Sequence, residues 1–185
     1  ELNMEKIRII TDSASDITGA TNPLLTVLPM RINFGDEEYL DGVTISHHEF
    51  YEKLVESDTL PVTSLISPAV FEEAFDKAVC DGEKVIVITI SGRLSGTYQS
   101  AVLATAQFEG NVFVVDSQNA AIGEQILVNY ALELAENGMP VKELVQTLND
   151  ARKHIHILAL LDTLEYLKKG GRISKTVAFV GGALS

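Results

Sequence analysis

Hydroxyl groups and glycines are concentrated in the stretch SGRLSGTYQS, residues 91–100, which directly follows the apolar run VIVITI. The side chains of Ser91, Ser95 and Thr97 can donate hydrogen bonds, and a glycine such as Gly96 lets a ligand approach the backbone closely. If a helix begins here, its first N–H groups and the positive end of its dipole also favour an anion. The stretch therefore predicts a receptor for a small anion. The same residues could instead only cap the helix, and the sequence leaves both interpretations open.

The stretch lacks the features of the familiar phosphate and catalytic loops. No Lys-Ser or Lys-Thr pair follows it, and its glycines do not have the spacing of a dinucleotide-binding loop. Arg93 stands where the Gly-x-Ser-x-Gly frame of a nucleophile elbow has its first glycine. A serine hydrolase or transferase that uses Ser95 is an alternative hypothesis, but it requires a histidine base that the sequence does not indicate. No catalytic residue is predicted.

Two other segments are rich in hydroxyl groups. The segment VTSLISP (residues 62–68) precedes a predicted helix, and TDSASD (residues 11–16) follows a predicted strand. Loops after different parallel strands meet at one edge of a sheet, so these segments are expected to line the same site as residues 91–100. Asp12 and Asp16 could ligate a divalent cation, but such ions need more oxygen ligands than this stretch offers, and no metal is predicted. Asp and Ser are also ordinary turn formers.

The elements that would position these loops follow from the apolar pattern. IRII is a short β-branched segment that predicts a buried strand, and the lack of alternation in VIVITI and VFVV indicates strands that are buried on both faces. Amphipathic segments between them predict helices, so the fold class is α/β, with a parallel sheet flanked by helices on both faces. Pro29 makes LLTVLPMRINFG an edge strand or an irregular one.

The domain organisation changes near residue 154. We expect residues 1–153 to form this α/β domain, and residues 154–185 to begin a second α/β domain that the given sequence does not complete. HIHILALL (residues 154–161) is predicted to be a strand, and DTLEYLKKGG a short helix that ends at its glycines.

Composition excludes several classes of protein. The net charge of -12 disfavours nucleic acid as a partner. The exception to the acidic character is a local basic cluster, formed by Lys168, Lys169, Arg172 and Lys175. Cys80 is the one cysteine, so an intrachain disulfide is impossible, and no apolar segment is long enough to span a bilayer. These features indicate a cytoplasmic protein without a transmembrane segment.

Five segments in order resemble the successive motifs of the DegV family of bacterial fatty-acid-binding proteins: TDSASD, TSLISP, SGRLSGTYQSA, VVDSQNAAIGEQ and LEYLKKGGRIS. The resemblance covers the chain from about Ile7 onward. It implies two α/β domains that hold a long-chain fatty acid between them, with no cofactor. It also implies a carrier and not an enzyme, which presents the fatty acid carboxylate to a separate dihydroxyacetone-kinase-like kinase for acyl phosphate formation and phospholipid synthesis.

The resemblance also implies roles for particular residues. Thr63 and Ser95 correspond to the residues that hydrogen-bond the fatty acid carboxylate, and the backbone N–H of Gly96 lies nearby. Arg172 corresponds to an arginine close to the carboxylate end and to the surface that faces the kinase. Arg93 departs from the family pattern, in which a serine or glycine is common. A binding module for another small amphiphile remains an alternative.

Overall fold

The computed structural model of the protein describes residues 5–19 and 22–176, without the side chains of residues 175 and 176. The strands, in chain order, are β1 (Ile7–Asp12), β2 (Leu25–Leu28), β3 (Arg31–Phe34), β4 (Glu37–Leu40), β5 (Val62–Ser64), β6 (Lys84–Thr89) and β7 (Val112–Asp116). The helices are α1 (His47–Glu56), α2 (Pro68–Cys80), α3 (Thr97–Ala104), α4 (Ile122–Glu136), α5 (Val141–Ala151), α6 (Glu165–Lys169) and α7 (Ile173–Thr176).

The main sheet is parallel, and among the described residues its strand order is β2-β1-β6-β7. β1 lies inside the sheet, where Ile9 pairs with Leu25 on one side and with Ile86 on the other. Because every connection between these strands crosses over the sheet, both faces are covered. This explains the unbroken apolar run in β6 and the burial of nearly all of β1. The predicted α/β fold is confirmed.

The two faces of the sheet bury different helices. Ile86 and Ile88 point to one face, where they pack with residues of α4 and α5 such as Leu127 and Leu144. Val85 and Val87 alternate to the other face, where Phe71 and Phe75 of α2 and the small residues of α3 pack on them. The helices therefore flank the sheet on both sides, as the sequence predicts.

A second, antiparallel sheet has the order β4-β3-β5 within the described residues. Ile32 and Phe34 of β3 pack with Ile45, and Phe50 and Leu54 of α1 cover them. This sheet divides the segment LLTVLPMRINFG into two strands at Pro29. β2 is an edge strand of the main sheet, which fits the expectation from the proline, whereas β3 belongs to the other sheet.

Local signals at the helix ends agree with the structure. Ser46 and Glu49 form a capping box at the start of α1, because the Ser46 side chain accepts from the Glu49 N–H and the Glu49 carboxylate accepts from the Ser46 N–H. Pro68 lies at the first position of α2. Gly138 follows α4 with a φ of 78°, a conformation that glycine adopts without strain.

The prediction of a strand at residues 154–161 is wrong. Within the described ranges this segment pairs with no strand, and Leu158 and Leu160 are 97% and 101% exposed. Its apolar pattern indicated burial, but the described residues supply no second layer to cover it. The short helix predicted in DTLEYLKKGG is confirmed as α6. The division into domains at residues 153 and 154 stays a prediction.

Two properties of the described ranges bear on function. None of their helices is both long enough and apolar enough to cross a membrane. The same ranges contain no cluster of three or more His, Cys, Asp or Glu side chains arranged to hold a metal ion.

Candidate anion site at the carboxyl edge of the sheet

The loops that follow β1, β6 and β7 are joined at one edge of the main sheet. The Ser91 N–H donates to the Asn119 carbonyl at 2.8 Å, which connects the loop after β6 with the loop after β7. The Ala121 N–H donates to the Ala14 carbonyl at 2.8 Å, which connects the start of α4 with the loop after β1. Of these loops, the sequence predicts that those after β1 and β6 meet, and the Ile90 N–H donates to Asp12 Oδ2 at 2.8 Å between them. The loop after β7 is not part of that prediction.

The loop of residues 91–96 leads into α3 through a compact turn. The N–H groups of Leu94 and Ser95 both donate to the Ser91 carbonyl, at 2.9 and 3.2 Å. Gly96 is the N-cap residue of α3, without a side-chain cap, and its N–H forms no hydrogen bond within the described ranges. The Ser95 hydroxyl accepts from the Thr97 N–H at 3.2 Å. The Ser95 hydroxyl thus accepts from an N–H group at the start of α3, although the N-cap residue of this helix is Gly96.

The segment that contains Thr63 packs against the start of α3. The Ile66 N–H donates to Thr97 Oγ1 at 3.4 Å, and the Ser100 hydroxyl donates to the Ile66 carbonyl at 2.5 Å. A Cβ atom at Gly96 would lie 3.0 Å from a methyl carbon of Leu65, so only glycine lets this segment come so close without a shift of the leucine. Thr63 is exposed on β5, three residues before Ile66, and pairs with Ile32 in the small sheet.

Arg172 reaches the same loop from the other end of the chain. Its Nε donates to the Leu94 carbonyl at 3.3 Å, and its Nη1 donates to the Gly170 carbonyl at 2.7 Å. The Arg172 guanidinium group is therefore hydrogen-bonded to Leu94, the residue that precedes Ser95. In the basic cluster, Lys169 pairs with Glu165 at 2.6 Å. The side chain of Lys175 is outside the described part of the chain.

No histidine is placed to activate Ser95. His47 lies 3.8 Å from Asp41 and His48 lies 3.2 Å from Glu52, both at α1. His154 and His156 are exposed after α5. Among the described residues, the Ser95 hydroxyl contacts Thr97 and has no histidine partner. The geometry of a nucleophile and base, which the hydrolase hypothesis requires, is not found in this part of the chain.

Comparison with known proteins identifies the family. The family model described as "Uncharacterised protein, DegV family" matches residues 6–185. The chain belongs to the DegV family. A DegV domain-containing protein of Clostridium perfringens is 40% identical over 98% of this chain, and one of Caldanaerobacter subterraneus is 38% identical over 98%. The chain spans 66% of the length of both relatives.

Solved DegV structures have the same fold. A Thermus thermophilus DegV family protein described by its fatty acid binding is 35% identical, with a TM-score of 0.80 over 91% of this chain and 61% of its own. A Thermotoga maritima protein described as revealing a fatty acid binding function is 30% identical, with a TM-score of 0.79 over 91% of this chain and 64% of its own. A stearic acid-binding protein of Eubacterium ventriosum is 29% identical, with a TM-score of 0.77 over 93% and 62%.

In this DegV chain a buried pair of carboxyl groups supports the loops. Asp12 is fully buried, and its Oδ1 and Oδ2 accept from the N–H groups of Ala14 and Ile90, at 3.1 and 2.8 Å. Asp12 is therefore an acceptor for loop N–H groups, and neither of its oxygens needs a cation. Asp16 is exposed at the end of the same turn. The turn interpretation of TDSASD agrees with this arrangement.

Glu124 is the second member of the pair, and it was not among the residues predicted from the sequence. Its Oε1 accepts from the Thr11 hydroxyl at 3.1 Å, while Oε2 is buried without a partner among the described atoms. Burial, followed by the nearby Asp12 carboxylate, raises the pKa of Glu124 far above its usual range. Burial also raises the pKa of Asp12. Glu124 therefore retains its proton at neutral pH beside an ionised Asp12.

Proposed function

We propose that this DegV chain binds a long-chain fatty acid and holds its carboxylate at Thr63, Ser95 and Gly96. The observation that supports this site is the meeting of three separate segments at residues 94–97. The Thr63 segment contacts Gly96 and Thr97, and Arg172 donates to the Leu94 carbonyl. Several relatives with the same fold are described as fatty-acid-binding proteins.

The hydrogen-bond pattern leaves a proton for such a ligand. Thr97 Oγ1 accepts from the Ile66 N–H and lies 2.9 Å from Ser95 Oγ. When Thr97 donates in this pair, the Ser95 hydroxyl proton is available to a carboxylate oxygen. The Gly96 N–H adds a backbone donor at a helix N-terminus, where negative charge is favoured. A carboxylate can be held by these neutral donors and still present an oxygen to a second protein.

The fatty acid tail would supply most of the affinity. Burial of ~16 carbons at about 0.8 kcal/mol per methylene gives a gross gain on the order of 10 kcal/mol before the costs of association. The head-group contacts would then fix the orientation of the carboxylate. A site in which the tail supplies affinity and the head-group contacts supply orientation favours a carrier over an enzyme, and it involves no cofactor.

We further propose that the carrier works in the cytoplasm and presents the carboxylate to a dihydroxyacetone-kinase-like fatty acid kinase, with Arg172 on the surface that faces this partner. The kinase would form the acyl phosphate used in phospholipid synthesis. Arg172 supports this proposal because it is exposed and lies against the loop that contains Ser95. An exposed arginine is suited to an anionic partner surface.

Native mass spectrometry tests the binding proposal. The chain, purified from a bacterial host, is expected to carry the additional mass of a fatty acid, to lose it on delipidation and to regain it from added fatty acid. The mass of a different amphiphile would support the alternative binding module instead. A chain that takes up no fatty acid, although circular dichroism shows it to be folded, would contradict the proposal.

A further inference from the structure

A polar cavity of about 260 Å³ lies beside the candidate carboxylate site. It is formed by the loops after β6 and β7 and by the residues that follow α5. The charged and titratable side chains around it are Arg93, Asp116, Arg152, Lys153 and His156. Thr63, Ser95 and Gly96 do not line this cavity. It is therefore a separate feature of the carboxyl edge of the sheet.

The charge of this cavity is opposite in sign to that of the whole chain, which carries a net charge of -12. Asp116 is the one carboxylate that lines the cavity, and it forms hydrogen bonds with the backbone. Its Oδ1 accepts from the N–H groups of Gly92 and Gln118, at 3.1 and 2.9 Å. Lys153 pairs with Asp150 at 2.8 Å on the surface. The two arginines have no carboxylate partner within the described ranges. A positively charged recess of this kind attracts anions.

Arg152 is held in place at the cavity wall. Its Nη1 donates to the Asp116 carbonyl at 2.7 Å, which fixes the guanidinium group against the end of β7. Its Nε is buried and has no hydrogen-bond partner in the described part of the chain. This buried Nε does not face the cavity, so the N–H groups at the outer end of the guanidinium are those that an acceptor oxygen in the cavity can contact. Arg93 provides a second guanidinium group whose side chain forms no hydrogen bond among these residues.

We propose that this cavity binds a phosphate group, with Arg152 as the anchored donor and Arg93 as a second, exposed donor. Guanidinium groups match the geometry of phosphate oxygens and form strong charge-assisted hydrogen bonds with them. The volume accommodates a phosphate group with part of the molecule that bears it. The ligand class is thus inorganic phosphate or a phosphate monoester. This site does not depend on fatty acid binding, because none of the proposed carboxylate residues contributes to it.

Titration of the folded chain with inorganic phosphate, followed by ¹H–¹⁵N NMR at constant ionic strength, tests the proposal. Saturable shifts are expected for the amides of residues 91–93, 116–119 and 152–156. Arg93→Gln is expected to weaken binding on the order of tenfold, since it removes one charge-assisted contact. Arg31→Gln is the matched control, because it removes the same charge from β3, which does not line the cavity.

Two outcomes would overturn the proposal: an absence of saturable shifts in these amides, or an equal loss of binding in Arg31→Gln and Arg93→Gln. Arg93 is the primary test because it is exposed, whereas Arg152 also supports the fold through the Asp116 carbonyl. Titrations with AMP and decyl phosphate then separate the sources of the phosphate group. Tighter binding of AMP than of inorganic phosphate identifies a nucleotide, and tighter binding of decyl phosphate identifies a phosphorylated lipid.

Discussion

At the scale of single residues, the candidate carboxylate site relies on neutral donors. Ser95 and Thr97 share a hydrogen bond of 2.9 Å, and Gly96 begins α3 without a side-chain cap. Neutral hydroxyl and amide donors hold an anion less tightly than a salt bridge would. Under the proposed function, this moderate strength suits a group that must react with a second protein while it is bound.

Removal of the hydroxyls at Thr63 or Ser95 should affect transfer more than retention. Thr63→Val and Ser95→Ala are each expected to weaken the carboxylate contact by about 1–3 kcal/mol, because a hydrogen bond to a charged group is lost. Phosphorylation by a cognate kinase should fall accordingly, whereas lipid content measured by mass spectrometry should change little. Ser64→Ala, at an exposed neighbouring position on β5, is the control. Normal phosphorylation by the Thr63→Val, Ser95→Ala double variant would show that the carboxylate lies elsewhere.

The buried pair of Asp12 and Glu124 makes stability depend on pH. The unfolded chain releases the Glu124 proton near its ordinary pKa of 4.5, whereas the folded chain retains it. The folded state therefore binds more protons above this pH, and its stability falls as pH rises. Glu124→Gln imitates the protonated acid, because its neutral amide keeps an oxygen that can accept from the Thr11 hydroxyl.

Glu124→Gln is therefore expected to be more stable than the wild type at pH 8, by on the order of 1 kcal/mol, and equal to it near pH 4. Urea unfolding at a series of pH values measures this difference. Asp12→Asn is the contrasting variant. It loses an acceptor for the N–H of Ala14 or Ile90 and should be less stable at every pH where Asp12 is ionised. A parallel pH dependence in the wild type and Glu124→Gln would disprove this account.

At the scale of secondary-structure elements, the start of α4 is constrained by its neighbours. A Cβ atom at Gly123 would lie 2.5 Å from Asn119 Oδ1 and 2.7 Å from Ile157 Cγ1. Such contacts require the side chain of Asn119 or of Ile157 to shift. Gly123 therefore allows these two segments to meet at the helix start, and Asn119 in turn accepts from the Ser91 N–H.

Gly123→Ala is expected to lower the free energy of unfolding by about 1–3 kcal/mol, because the crowding outweighs the higher helix propensity of alanine. Chemical denaturation monitored by circular dichroism measures the change. Asn129→Ala, at an exposed position of the same helix, is the control and should be neutral or slightly stabilising. If Gly123→Ala were as stable as Asn129→Ala, the close approach at Gly123 would have no energetic importance.

The sequence predicts those elements that carry their own local signal. β6 and β7 contain unbroken apolar runs, β1 has three isoleucines within four residues, and α1 begins with a capping box. Each is therefore evident without knowledge of its neighbours. The small sheet could not be predicted in the same way, because β4 and β5 are short and largely polar and are defined by pairing with β3. The apolar pattern of HIHILALL led to the wrong prediction of a strand. Apolar residues indicate burial, but they do not show which element would cover them.

The candidate site also contains both features with a local sequence signal and features that only tertiary contacts define. Its loops could be found from their hydroxyls, glycines and position after strands. Glu124 could not, because an acidic residue in the first turn of a helix is favourable on its own and needs no further explanation. Only the tertiary contact with Thr11 and the proximity of Asp12 reveal that this glutamate is buried. The motif VVDSQNAAIGEQ, residues 114–125, contains Glu124, but it pointed to the family and not to the burial of this residue.

At the scale of the whole molecule, a strongly acidic chain carries a local basic cluster. The net charge is -12, yet Lys168, Lys169 and Arg172 are exposed around α6, beside the loop that contains Ser95. The acidic remainder would repel an anionic partner, whereas this cluster would attract it and orient the encounter.

Under the proposed function, Arg172→Ala is expected to slow productive encounter with the proposed kinase while fatty acid content and folding stay unchanged. Charges at the rim of an interface act mainly on the association rate, so the difference from the wild type should shrink as salt is raised. Kinetics of acyl phosphate formation against carrier concentration, at low and high salt, measure the effect. Arg31→Ala changes the net charge equally and serves as the control. Equal kinetics for Arg172→Ala and the wild type at low salt would assign this arginine a purely structural role.

The strand order of the main sheet also has a consequence for synthesis on the ribosome. β1 pairs with β6, and Ile7 is separated from its partner Lys84 by about 77 positions. β2 becomes available earlier, but two strands alone are not stable in water. At about 5–20 residues per second, the apolar β1 emerges several seconds before β6 can pair with it. During this interval the nascent chain exposes the strand that later becomes the centre of its core, and a chaperone that binds short apolar segments would find it there.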